Sequence, residues 1–108
     1  MDIQEDQRIF DRFNARFPAR FEDSRDDFNS EISLRDMSAQ GARLVTRHRL
    51  HVNDRVGVQI KLPDGHTQLT LTGQIVWVKS QGFNLWEIGL KFENVSFMAL
   101  QRLFQFCQ

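Results

Sequence analysis

From Phe13 to Phe21 the chain reads Phe-Asn-Ala-Arg-Phe-Pro-Ala-Arg-Phe, with apolar and polar residues in strict alternation. Phe13, Ala15, Phe17, Ala19 and Phe21 fall on one side of an extended backbone, and Asn14, Arg16, Pro18 and Arg20 on the other. That period suits a strand with one buried face. A helix over the same residues would carry Pro18 in its interior, at a cost of about 3 kcal/mol. The proline in turn predicts an edge or a bulge, since it has no N–H to give to a ladder.

The same period returns along the chain. Glu31 to Asp36 and Ala42 to Thr46 are short strand candidates, separated by Asp-Met-Ser-Ala-Gln-Gly, which is rich in turn formers. Val56, Val58, Ile60 and Leu62 alternate with polar residues up to a turn at Pro63-Asp64-Gly65. A partner strand follows from Thr67 to Val78, where Leu69, Leu71, Ile75 and Trp77 are expected to share a face, and the two read as a hairpin. After a loop at Ser80-Gln81-Gly82, Trp86, Ile88, Leu90 and Phe92 form the last strand, with Glu87, Gly89 and Lys91 on its other face. The period then changes. Behind Asn94, a candidate cap, Phe97, Leu100, Leu103, Phe104 and Cys107 recur at three- and four-residue steps and predict a short amphipathic helix. Six strands and a C-terminal helix in a single domain of 108 residues point to an antiparallel barrel or sandwich.

Fourteen basic and fourteen acidic residues cancel, so an anion must be met by a local cluster and not by the summed field. The basic residues are eleven arginines and three lysines, and ten of the arginines lie in the first 55 residues. Arginine suits planar, bidentate recognition of phosphate or of a guanine edge. The single cysteine excludes a disulfide framework and, with no apolar leader or membrane-length run, predicts a cytoplasmic protein without membrane insertion. His48 and His51 lack the further ligands of a metal site, and Ser38 lacks a nucleophile elbow or a histidine marked as its base. No glycine-rich phosphate loop is present. The expectation is a protein that is not an enzyme and carries no metal or resident cofactor.

Two local signals remain, Arg8-x-x-x-Arg12 and Asp36-x-Ser38-x-x-Gly41. With the surrounding LRDMSAQGARL, the later GQIVWV and IGLKF segments and the terminal helix, the chain resembles the PilZ domain, the bacterial receptor module for cyclic di-GMP. In the opening run RxxxR occurs three times by overlap, at Arg8/Arg12, Arg12/Arg16 and Arg16/Arg20. In that family the arginine pair precedes the first strand, which selects Arg8 and Arg12. The resemblance implies a six-stranded antiparallel barrel over residues 13–93, a flexible leader over 1–12 and a helix over 94–108. It also implies a cyclic di-GMP site formed by Arg8, Arg12, Asp36, Ser38 and Gly41. Gln7, where many members have a further arginine, bears on whether one or two ligand molecules bind.

The residue types suit those roles. Arginine forks match guanine O6 and N7 or phosphate, Asp36 accepts from guanine N1 and N2, and Ser38 donates. Gly41 permits a positive φ and close backbone approach. Arg43 and Arg20 are further candidates for phosphate, each equally a solvated strand residue. Trp77 is expected in the core more than against a guanine. The function expected is a receptor whose leader changes conformation on binding and so signals to a protein partner, in control of motility, adhesion, biofilm or virulence. The alternatives are an interaction adaptor of the same fold with little nucleotide affinity, and a single-strand-binding barrel, which the neutral charge disfavours.

Overall fold

The computed structural model describes residues 12–64, 68–93 and 95–106. Within them seven strands and one helix follow in order: β1 (Phe13–Asn14), β2 (Ala19–Phe21), β3 (Ile32–Met37), β4 (Gly41–Thr46), β5 (Arg55–Lys61), β6 (Gln68–Gly82), β7 (Leu85–Phe92) and α1 (Phe97–Gln105). All strand pairings are antiparallel, and the sheet order is β1-β3-β4-β7-β6-β5-β2.

That order forces the sheet to roll up. β1 and β2 are consecutive in sequence yet occupy opposite edges. In a flat sheet six inter-strand steps would separate the edges by about 29 Å, whereas the five residue steps from Asn14 to Ala19 span at most about 18 Å. The link can join the edges only if the sheet curls into a barrel. Its ends are tied to both sides: the Ala15 N–H donates to the Arg35 carbonyl at the end of β1, and the Pro18 carbonyl accepts from the Lys61 N–H.

The single opening strand expected from the sequence is therefore divided in two, and seven strands stand in place of the expected six. Pro18 lies in the break. The alternation nevertheless continues through it, and Ala15, Phe17, Ala19 and Phe21 are all buried. They join Leu34, Leu44, Val58, Ile60, Leu71, Ile75, Ile88 and Leu90 in one core. The β5–β6 hairpin forms as expected, from Arg55 opposite Gln74 to Lys61 opposite Gln68. α1 adds Leu100 and Leu103 to the core, and Phe104 meets Phe13 edge to face at 5.3 Å. Ser96 occupies its N-cap position without a side-chain hydrogen bond; the expected cap Asn94, and Cys107, lie outside the described residues. No helix among the described residues is long and apolar enough to cross a membrane.

Two expectations for β6 are corrected. The loop placed at residues 80–82 is strand, and the turn falls at Phe83-Asn84, with Asn84 at φ 52°. Trp77 does not share the face of Ile75. Ile75 pairs with Leu90, but Trp77 pairs with Gly89 and Val78 with Ile88, so Val76 is an extra residue at a bulge. Val78 takes the inward position and the indole turns to the outer face.

Leu44 is fully buried at the middle of the sheet, between Leu34 on β3 and Ile88 on β7. Leu44→Ala is expected to lower unfolding free energy by about 2–5 kcal/mol, read as a shift of the urea midpoint with an unchanged slope.

Candidate functional site

The register of two ladders assembles the candidate site. β1 pairs with the end of β3, Phe13 opposite Met37 and Asn14 opposite Asp36. Arg12 immediately precedes that pairing and so arrives beside Asp36, from which it is separated by 24 positions in sequence. Its Nη1 donates to Asp36 Oδ1 at 2.7 Å. On the other side, a bulge between Leu34 and Asp36 shifts the β3–β4 register so that Asp36 faces Arg43. Arg43 Nη2 donates to Asp36 Oδ2 at 2.5 Å, and its Nη1 lies 3.9 Å from Glu87 Oε1. Both carboxylate oxygens thus have a cationic donor. The Asp36 side chain is 11% exposed, against 55% for Arg12 and 43% for Arg43. Among the described residues Arg43 Nε is enclosed without a hydrogen-bond partner.

Ser38 and Gly41 bound the β3–β4 turn. The Ser38 N–H donates to the Gly41 carbonyl, and the Ser38 hydroxyl accepts from the Gln40 N–H at 3.2 Å. The hydroxyl keeps its own proton for another acceptor. Gly41 has no positive φ; the only glycine with one among the described residues is Gly82. The positive-φ part of the sequence expectation for Gly41 is therefore replaced by the other part, close approach. A Cβ at residue 41 would collide with the Leu90 carbonyl oxygen of the neighbouring strand.

These residues border a cleft of about 540 Å³, within the range of small-molecule sites. Arg12, Ser38, Gln40 and Gly41 line it together with Lys91, Phe92, Val76 and Val95. A second cleft, of about 550 Å³, runs along Phe21, His48, Leu50 and Arg55. Glu22 and Asp23 line it as well and make it a poorer host for an anion. Beyond Asp36 and Arg43 the outer face continues across the sheet to Gly89, opposite Arg43, and to Trp77, opposite Gly89. A Cβ at Gly89 would run into Nε1 and Cε2 of Trp77, so the indole lies across that glycine.

Of the residues singled out in the sequence, Arg12, Asp36, Ser38 and Gly41 come together, with Arg43 bonded to Asp36 and Trp77 on the same outer face. Arg8 and Gln7 lie outside the described residues. Arg20 is placed elsewhere: its Nε donates to Gln59, and its guanidinium sits 4.5 Å from the centre of the Phe28 ring. Lys91 and the apolar lip of Val76 and Val95 are not among the sequence candidates. Lys91 has the signal of a polar-face strand residue and nothing more. His48 and His51 face Glu31 and Asp54, and no cluster of metal-ligating side chains occurs among the described residues.

The sequence matches the family model of the PilZ domain over residues 6–108. Among solved structures it is similar to the Bacillus subtilis inhibitor of motility (MotI/DgrA), with a TM-score of 0.63 and 14% identity. That similarity covers 89% of this chain and 47% of the other, so the chain spans about half the length of that protein. No curated protein matches the sequence.

Two outcomes are expected from this geometry. Gly89→Ala should displace the indole; in a Trp86→Phe background, which leaves Trp77 as sole emitter, its fluorescence maximum and quencher accessibility should change while far-ultraviolet dichroism does not. Removing both Arg12 and Arg43 as alanines should cost about 2–3 kcal/mol, because the buried Asp36 carboxylate loses its donors. Asp36→Ala should cost only about 1 kcal/mol, because it leaves two half-exposed guanidinium groups that water can solvate. Urea denaturation of the variants checks the order.

Proposed function

Since the chain belongs to the PilZ domain family, a family of cyclic di-GMP receptors and adaptors, we propose that it binds cyclic di-GMP in the cleft beside Arg12, Asp36, Ser38 and Gly41. Arg8 joins these from the leader, Arg43 and Trp77 extend the site over the outer face, and the chain acts as a receptor and not as an enzyme. The observation that carries this reading is the Asp36 carboxylate held between Arg12 and Arg43 at 2.7 and 2.5 Å. It joins the second arginine of one motif to the first residue of the other.

Binding then proceeds as an exchange of partners. The guanine N1 and N2 donors compete for the Asp36 oxygens, and the guanidinium groups released from them turn to guanine O6 and N7 or to phosphate. Ser38 gives its free hydroxyl proton to a ligand acceptor. Arg12 adjoins β1, which is held by two residue pairs, so a change of partner at Arg12 is transmitted to the leader before it. The leader and the outer face form the surface offered to an unidentified protein partner. The Bacillus protein's name makes motility the first process to examine. A cytoplasmic location accords with a ligand made inside cells.

Calorimetric titration with cyclic di-GMP, with GTP and cyclic di-AMP as controls, tests this. The expected result is selective binding that weakens by roughly 10- to 100-fold or more in Arg12→Ala and in Asp36→Ala. No binding by the unchanged protein would move the function to a PilZ-fold adaptor that acts through protein contacts alone.

A further inference from the structure

Resting on the cyclic di-GMP reading, we infer that Lys91, which neither motif contains, is a phosphate-contacting residue of the site and adds a positive charge that no carboxylate among the described residues compensates. Lys91 lies opposite Gly41 in the β4–β7 ladder and opposite Gln74 in the β6–β7 ladder. Its neighbour Leu90 points into the core, which sends Lys91 to the outer face, where it is exposed and lines the same cleft as Arg12 and Ser38.

Charge decides what it does there. Arg12 and Arg43 are already matched by the carboxylates of Asp36 and Glu87, the latter at 3.9 Å from Arg43. These four groups sum to zero, whereas a cyclic dinucleotide brings two phosphodiester charges. Among the described residues the Lys91 side chain has no ion-pair or hydrogen-bond partner, so its ammonium is available without breaking an existing contact. The chemistry of lysine narrows the target. A compact ammonium on a flexible stem is a point charge suited to a phosphate oxygen, and it lacks the planar fork that reads a guanine edge. Gly41 keeps the way clear, since its missing Cβ would project within 3.4 Å of the Lys91 Cα.

The test is titration with cyclic di-GMP at several ionic strengths on the unchanged protein, Asp36→Ala, Lys91→Gln and Lys91→Arg. Lys91→Gln is expected to bind roughly tenfold more weakly, the loss for one charge-assisted hydrogen bond at a half-open site. It should also show a flatter dependence on salt, because one screened attraction is gone. Lys91→Arg should restore both, and the melting temperature should not move in either variant. Equal affinity and equal salt dependence in Lys91→Gln, while Asp36→Ala loses binding, would overturn the role of Lys91 and leave the receptor reading intact. A loss in Lys91→Arg as large as in Lys91→Gln would also overturn it, by assigning the effect to shape instead of charge. Absence of binding by the unchanged protein would overturn both.

Discussion

The link between β1 and β2 is the constraint on which the rest of the molecule depends. Two successive short strands that pair at opposite edges of a seven-stranded sheet leave no geometry but a closed or nearly closed barrel. Closure then sets the site. Because β1 must reach β3, Phe13 and Asn14 are laid against Met37 and Asp36, and the residue just before them is Arg12. An ion pair between residues 24 apart is in this sense a by-product of closing the barrel. The arrangement is also lopsided in strength. β2 is tied to β5 through three residue pairs and buries Ala19 and Phe21, whereas β1 has two pairs and a half-buried Phe13 against Phe104. Local opening favours the element with less buried surface and fewer ladder bonds. By that measure β1, next to Arg12, is the more weakly held of the two edge strands.

Much of the fold was legible because burial on one face of a sheet writes itself into the sequence with period two. The alternation from Phe13 to Phe21 predicts the inward residues correctly even though the strand is broken, since Ala15 and Phe17 in the link still turn into the core. What alternation cannot show is where it slips. At Val76 one extra residue shifts the pairing of β6 with β7, and the face assigned to Trp77 is reversed. A bulge leaves no compositional mark here: Val76 is as good a strand residue as its neighbours. The only hint is Gly89, whose missing side chain makes room for the indole, and a lone glycine in a strand can equally mark a bend or a close approach of backbone. Gly41 illustrates the same limit. A glycine after a turn suggests a positive φ, and the close approach of Leu90 is visible only once β7 is known to lie beside β4.

The candidate site was legible in part of its named residues and not in their wiring. The two motifs give Arg12, Asp36, Ser38 and Gly41, but the pairing of Asp36 with Arg43 depends on the bulge at Arg35, and the position of Lys91 depends on two registers at once. Long-range juxtaposition of this kind has no local signature, because each residue taken alone is an ordinary polar member of a strand.

A net charge of zero would suggest a protein indifferent to anions, yet the distribution of charge tells otherwise. Five of the carboxylates, Glu22, Asp23, Asp26, Asp27 and Glu31, fall in the connection between β2 and β3. Strands β3, β4, β7 and β6 carry Arg35, Arg43, Lys79 and Lys91 against Asp36 and Glu87, with Arg12 beside β3. At physiological ionic strength fields fade over about 8 Å, so an anion at the cleft would respond chiefly to its immediate neighbours. Segregation of this kind lets a neutral chain hold an anion without attracting nucleic acid along its whole surface. It also bounds what binding can accomplish. In the proposed binding mode Arg12 exchanges Asp36 for an acceptor of the ligand, so the free energy that could act on β1 would be the difference between two contacts and not the whole of either. A cation that makes no side-chain contact before the ligand arrives escapes that cancellation, and in the proposed binding mode this is the argument for the weight given to the unpartnered lysine of the cleft.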